Sequence, residues 1–321
     1  MARTMAETIN IKQQVPAGDA GQRLDQVASR VFPDYSRARL QRWIRDQALT
    51  VDGAAGRPSQ RLAGGEWLCL EAQLEPEGEV VAEALALDVL FHDEHLLVLN
   101  KPAGLVVHPA AGHPDGTLQN ALLHLRPALA TLPRAGIVHR LDKDTSGVMV
   151  VACSLKAHAS LVAQLQERRM SRVYETVVHG HPPAAGTVDA PVGRHPRDRK
   201  RMAVVAGGKP AVSHYRQLQR FAHFTHLEVS LESGRTHQIR VHLQHLGFPL
   251  VGDPVYGRKT PAAKELAPEV LEAVRAFPRQ ALHARTLRLA HPASDQACRF
   301  DAPIPADLAG LLQVLAAGDP A

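Results

Sequence analysis

The densest group of reactive side chains is His139-Arg140-Leu141-Asp142-Lys143-Asp144-Thr145-Ser146-Gly147, between the apolar runs Gly136–Val138 and Val148–Ala152. The pattern predicts two strands flanking a polar turn, a place where an underlying sheet can hold catalytic groups in fixed geometry. A buried carboxylate here would need a cationic partner to stay ionised and nucleophilic at neutral pH. The same residues also suit a plain hairpin, whose Asp, Thr and Ser satisfy nearby backbone groups.

A second group is Ser233-Gly234-Arg235-Thr236-His237-Gln238-Ile239-Arg240-Val241-His242. Gly234 supplies a turn and Thr236 a helix cap. Ile239, Leu243 and Leu246 make an apolar face with Arg240 at its edge, where a guanidinium could pair a distant carboxylate. The alternative is an ordinary surface helix start. His237, His242 and His245 invite a metal reading, but the H-E-x-x-H spacing of a catalytic zinc site is absent. Arg194-His195-Pro196-Arg197-Asp198-Arg199-Lys200-Arg201 is a basic stretch without apolar periodicity. It fits either a solubilising loop or a flexible finger on a nucleic-acid backbone. Arg172–Val178 alternates like a strand and carries Tyr174, one of four tyrosines.

The elements that must position these groups fall into two units. From Gln22 to about Leu70 a helix opening at Leu24 is broken by Pro33, and Ser36 is the expected N-cap of a second helix. There Leu40, Trp43 and Ile44 share one face while Arg39, Arg42 and Arg45 line the opposite one, as a solvated surface or a phosphate-tracking one. A turn at Val51-Asp52-Gly53 and a strand over Glu66–Leu70 follow. Residues 71–88 are acidic and carry no Lys or Arg, which marks a linker. Beyond it, strands at 96–99, 147–152, 173–178 and 226–231 mix with helices at 118–125, 155–166, 236–246 and 268–277 without strict alternation. That predicts an α+β fold.

The 321 residues carry a net charge of +5, compatible with a polyanionic partner without requiring one. Three scattered cysteines give no zinc knuckle or disulfide framework, as expected for a reducing cytosol. No apolar leader, membrane-length apolar run or Gly-rich nucleotide motif is present. The expectation is a cytoplasmic enzyme working without ATP, a dinucleotide or another cofactor.

In their order along the chain, these blocks resemble the RluA-type pseudouridine synthases, most closely the RluD-like branch that modifies large-subunit (23S) ribosomal RNA. The matching stretches are Asn100–Pro109, His139–Gly147, Gly234–His242, Gly252-Asp253-Pro254-Val255-Tyr256-Gly257, Gln280–Ala284 and Ala302–Pro305. The N-terminal unit resembles the S4-like RNA-binding module, with Asp46-Gln47-Ala48 where a glycine-containing turn is usual. The resemblance implies a flexible N-terminus over 1–20, an S4-like domain over 21–74, an acidic linker over 75–88 and a catalytic domain over 89–321 built on a mixed, mainly antiparallel sheet.

It further implies isomerisation of unpaired uridines, with Asp142 as nucleophile, Arg240 pairing and positioning it, and Tyr174 stacking on the base and relaying the proton lost from carbon five. Ile239 would pack against the base. Arg140 would fill the space the flipped uridine leaves, flipping being cheapest in a loop or bulge. Arg39, Arg42 and Arg45, with Arg197, Arg199, Lys200 and Arg201, would supply phosphate affinity. The expected partner is ribosomal RNA, met by a monomer with no metal and no membrane. Competing readings are another ribosomal or transfer RNA target, a non-catalytic RNA-binding or ribosome-assembly protein, and an N-glycosidase of small nucleosides.

Overall fold

The computed structural model describes residues 8–33, 35, 37–73, 80–109, 113–198, 201–257 and 266–318. Ser36, Arg199 and Lys200, the first an expected cap and the others expected phosphate contacts, lie outside the described residues.

The N-terminal unit comprises β1 (Thr8–Gln14), α1 (Leu24–Val31), α2 (Arg37–Arg45), β2 (Leu49–Val51), β3 (Ala54–Ala55) and β4 (Trp67–Gln73). Its antiparallel sheet has the order β1-β4-β2-β3. Leu24, Val27, Leu40, Trp43 and Ile44 of the helices bury against Leu49, Leu68 and Leu70. Asp52 and Gly53 both take positive φ, the primed turn that a two-residue hairpin needs. Gln47 closes α2 at φ 61°, so the left-handed turn forms without the usual glycine. β1 departs from expectation: residues 8–14, assigned to a flexible terminus, pair along all of β4 from Thr8↔Gln73 to Gln14↔Trp67.

Arg39 also departs from expectation. It is 6% exposed and its guanidinium lies 5.8 Å above the Trp43 ring, whereas Arg42 and Arg45 are exposed. The spacing explains it: Arg39 precedes Trp43 by four residues, about 40° of helical arc, and so shares the apolar face.

The larger unit contains β5 (Asp88–His92), β6 (Leu96–Lys101), α3 (Leu118–Leu125), β7 (Ser146–Ala152), α4 (Leu155–Gln166), β8 (Ser171–His179), β9 (Ala185–Asp189), β10 (Val192–Arg194) and β11 (Met202–Val204). It continues through β12 (Val212–Arg220), β13 (Phe224–Leu231), α5 (Gln238–His245), α6 (Pro268–Ala276), β14 (Leu282–Ala290), β15 (Ala297–Asp301) and α7 (Ala306–Ala317). One nine-stranded sheet runs β5-β6-β7-β14-β8-β13-β12-β9, with β15 added to β14. Among the strands of the described residues only β7 and β14 pair in parallel, so the α+β expectation of a mixed, mainly antiparallel sheet holds.

β6 and β7 are buried on both faces and therefore read as continuous apolar runs rather than alternating ones. α3 and α4 begin and end where the sequence placed them because each has a side-chain cap: Thr117 accepts from Asn120 N, and Ser154 from Ala157 N. Upstream of the reactive loop the expected strand is absent. Pro133–Gly136 form a 3-10 turn, and only Ile137 bridges to Val151. Residues 80–87, the end of the expected linker, dock instead: Glu83 accepts from Gly116 N, Asn120 Nδ2 donates to Val81 O, and Val80 and Leu87 join the core.

Candidate active site

The reactive loop is held from several directions. Thr145 N donates to Asp142 O at 3.1 Å, closing a tight turn over Asp142–Thr145. Lys101, 1% exposed, donates from Nζ to the carbonyls of Pro102, Leu105 and Lys143 at 2.7, 2.8 and 2.9 Å. Burial pulls its pKa down to about 7, against the attraction of Asp144 and Asp142. Arg279 donates to Asp144 O at 3.1 Å while clamping Asp307 with two further bonds, and Gln280 Nε2 donates to Thr145 Oγ1. His283 Nε2 faces the Ala302 carbonyl, so its Nδ1 accepts from Ser146 Oγ at 3.0 Å; burial brings its pKa down to about 4. β7 can lie against β14 because Gly147 (φ 118°) has no Cβ, which would come within 2.2 Å of Ala284 O. The Thr145 and Ser146 hydroxyls thus bond to Gln280 and His283 of a distant segment rather than to their own backbone, which is not the plain-hairpin arrangement.

This scaffold leaves the Asp142 carboxylate facing α5. Arg240 Nη1 donates to Asp142 Oδ2 at 2.9 Å, while its Nε and Nη2 bind the two oxygens of Asp253 at 2.7 and 2.9 Å. Asp253 Oδ1 also accepts from Val255 N and Tyr256 N, both at 2.9 Å. Arg240 and these backbone donors hold the Asp253 carboxyl below its usual range despite its burial. Asp253 thereby fixes the plane of the guanidinium, and one fork remains for Asp142.

His237 begins α5 at φ 57° without a capping side chain, so the Thr236 cap is not what forms. The Gln238 side chain organises the turn instead, accepting from Arg235 N and Ser233 Oγ. The strained His237 backbone sets its ring between Tyr256 and the reactive loop. Tyr256 Oη accepts from Met202 N and faces His237 Nδ1 at 2.8 Å, leaving His237 Nε2 at 3.9 Å from Asp142 Oδ1. Burial lowers the His237 pKa more than Asp142 raises it. His242 is occupied structurally: Nε2 donates to Ala190 O and Nδ1 accepts from Ser213 Oγ, both at 2.9 Å.

These groups line a cleft of about 560 Å³ that brings together Arg140, Asp142, Tyr174, Ile239 and Arg240. Tyr174 and Ile239 are buried at 7% and 4% exposure, whereas Arg140 is exposed. Burial pushes the Tyr174 phenol above its usual pKa, and the Asp142 charge acts in the same direction. The cleft therefore offers a carboxylate fixed by a cation, a neutral phenol and an apolar wall. Arg39, Arg42, Arg45 and Arg197 are not among the residues that line it. Arg201, in the β10–β11 connection immediately before β11, approaches indirectly, its guanidinium 5.2 Å from the Tyr256 ring. In the sequence Asp253 and Tyr256 stand out only as part of the block Gly252–Gly257. Their signal was two polar side chains bracketing the turn Pro254-Val255, with nothing local to say which cation they meet.

Comparison with known proteins places both units in families. The RNA pseudouridylate synthase model matches residues 95–245 and the S4 domain model residues 22–68. The chain is 55% identical over 311 residues to ribosomal large subunit pseudouridine synthase D of Pseudomonas aeruginosa, covering 97% of each. It is 48% identical over 314 residues to the protein of that name in Escherichia coli K12, covering 98% of this chain and 96% of that one. Among solved structures, human RNA pseudouridylate synthase domain containing 4 superposes with a TM-score of 0.55 at 27% identity, over 71% of this chain and 93% of that one. Its human counterpart, domain containing 1, gives 0.54 at 25%, over 76% and 99%. With that identity sustained across both units, the chain belongs to the RNA pseudouridylate synthase family.

Proposed function

We propose that this protein converts specific unpaired uridines of large-subunit ribosomal RNA to pseudouridine in the cytoplasm, acting as a monomer, with Asp142 as the nucleophile. The observation that carries this reading is the Asp142–Arg240–Asp253 array at the floor of the cleft. It presents one carboxylate oxygen bound to a cation and the other 3.9 Å from His237 Nε2, in a residue that lines the cleft a base would enter. The names of the relatives at 48–55% identity point to the same class of RNA.

In this reading the target uridine leaves the stack, Arg140 takes its place, and the base slides between Tyr174 and Ile239. Asp142 attacks and the glycosidic bond breaks. The base turns, and carbon five bonds to the sugar before losing its proton, with the Tyr174 hydroxyl as relay. Arg240 keeps Asp142 in one orientation throughout, because Asp253 holds the other side of its guanidinium. Arg42, Arg45, Arg197 and Arg201 add phosphate affinity that does not depend on sequence. Arg199 and Lys200 are proposed for the same role on charge alone.

The test is isomerisation of a protein-free large-subunit rRNA transcript, mapped by carbodiimide-adduct primer extension. Wild-type protein should modify discrete positions, and Asp142→Asn none, while the variant's transcript affinity stays within a few-fold. Retained isomerisation by Asp142→Asn would remove the nucleophile from the scheme.

A further inference from the structure

Among the described residues, Arg172 is a buried cation with no carboxylate paired to it. It lies two residues before Tyr174 on β8, so both side chains leave the same face of the strand, and both line the cleft. Arg172 is 8% exposed and its Nε has no hydrogen-bond partner. The two acids in the cleft wall are engaged elsewhere. Asp142 binds Arg240 at 2.9 Å, and Glu232 binds Arg168 and His214 at 2.5 and 2.8 Å. Space for the guanidinium depends on Gly234, where an added Cβ would lie 2.5 Å from Arg172 Nη1.

Other buried arginines contrast with it: Arg240 holds Asp142 and Asp253, and Arg279 holds Asp307. An isolated buried cation is unfavourable in the free protein, so it gains most from an oxygen that becomes negative next to it.

We propose that Arg172 is a further catalytic residue whose guanidinium binds a carbonyl oxygen of the flipped pyrimidine and stabilises the charge that develops there. The inference rests on the pseudouridine-synthase reading and deepens it. When the bond between the sugar's anomeric carbon and ring nitrogen one breaks, its electron pair stays on the base, shared between that nitrogen and the carbonyl oxygens. Forming the new bond at carbon five uses a pair from the ring; carbon five then releases its proton and nitrogen one takes one up, leaving the product neutral. Were Asp142 to add to ring carbon six, the ring double-bond pair would shift onto a carbonyl oxygen instead. Either way negative charge grows on an oxygen, and a preorganised cation in a dry wall stabilises it most as it appears. The position favours the base over a phosphate: Arg172 is buried and shares its strand face with Tyr174, whereas Arg134 and Arg168 of the cleft are exposed, where a solvated phosphate could reach them.

The experiment compares full-length Arg172→Met and Arg172→Lys with wild type in single-turnover tritium release from a transcript labelled at uridine carbon five. Arg172→Met should slow release about 10²–10³-fold, the loss typical of one transition-state donor, with transcript Kd within about threefold by filter binding. Arg172→Lys should recover part of the rate. Removing an uncompensated charge should also raise the Tm of the free Met variant by about 2–4 °C.

On a transcript carrying 5-fluorouridine, whose fluorine already stabilises negative charge in the ring, the Met penalty on target consumption should shrink at least tenfold. Digestion and chromatography would follow that consumption. A rate within threefold of wild type would overturn the proposal, as would an equal penalty on both transcripts. A weakened Kd with a shallower salt slope would make the ligand a phosphate. A lowered Tm in both variants would make Arg172 structural. Wild-type protein that isomerises no uridine in the transcript would instead sink the underlying function, a separate failure.

Discussion

Arginine is used in two opposite ways in this molecule. In the catalytic unit Arg240 is 4% exposed and spends its donors on two carboxylates in fixed directions. In the N-terminal unit Arg42 and Arg45 are exposed on α2, and the ion pair between Arg42 and Asp46, 3.5 Å apart, is a solvated i,i+4 contact. The first arrangement encodes geometry, since moving the guanidinium moves Asp142. The second encodes charge, since exposed ion pairs are weak and readily exchanged for a phosphate. Loss of the first should therefore appear in the chemical step, and loss of the second in salt-dependent affinity.

The hardest test of that division is Asp253→Asn. The amide keeps its size but can no longer accept from both Nε and Nη2 of Arg240, so the guanidinium is free to rotate away from Asp142. A displacement of about 1 Å near reacting atoms costs on the order of 10²-fold in rate, and kcat should fall by that much while KM for the transcript changes little. A proportional rise in KM would show that Asp253 serves RNA binding instead.

The two units also differ in what acid does to them. Residues 8–73 contain no histidine, and their buried carboxylate, Asp25, has its pKa lowered to about 2 by Arg23, Arg37 and Gln41 against the opposing effect of burial. The catalytic unit holds a buried His283 and half-buried His108 and His139, whose pKa values fall to about 4, 4 and 3, chiefly through loss of solvent. For a histidine depressed on folding, the unfolded chain takes up its proton first as pH falls. That contribution is complete above about pH 6.5 and is lost on the way to pH 4, at about 1.4 kcal/mol per group per pH unit. The Asp25 contribution is complete above about pH 4 and is lost only toward pH 2. Calorimetry between pH 7 and 3 should show the catalytic-unit transition moving down first, leaving the S4 unit folded near pH 4. A shared transition that shifts as one would deny the separation.

Much of this was readable beforehand. His139–Gly147 and Gly234–His242 are contiguous and their chemistry is dense, so Asp142 and Arg240 stand out before any fold is known. α3 and α4 carry their own caps. What escaped depends on distant segments. β1 exists because β4 offers it an edge, which Thr8–Gln14 do not announce. Asp253 matters only because the chain returns it to Arg240, and Arg172 reads as an ordinary strand residue until its lack of a carboxylate is seen. A three-residue spacing puts Arg39 with Arg42 and Arg45, but its long apolar stem can lie along Trp43, and binary patterning scores only the charge at its end.

The smallest expected effect is on α2, and it discriminates most finely. Arg42→Gln with Arg45→Gln removes two exposed charges from the helix without touching the buried face formed by Leu40, Trp43 and Ile44. If each arginine neutralises one phosphate, the slope of log affinity against log salt should become shallower by about 0.7–0.9 per residue, and transcript binding should weaken a few-fold to about tenfold near physiological salt. The single-turnover rate at saturating protein should not change, because neither residue lines the cleft. Arg39→Gln is the internal contrast. It removes the same formal charge from the same helix, yet from beneath the surface, so it should lower the S4-unit Tm through lost contact with Trp43 while the salt slope stays put. A salt slope that responds to Arg39 as it does to Arg42 would mean that α2 opens on RNA, and that burial in the free protein does not separate phosphate-binding arginines from packing ones.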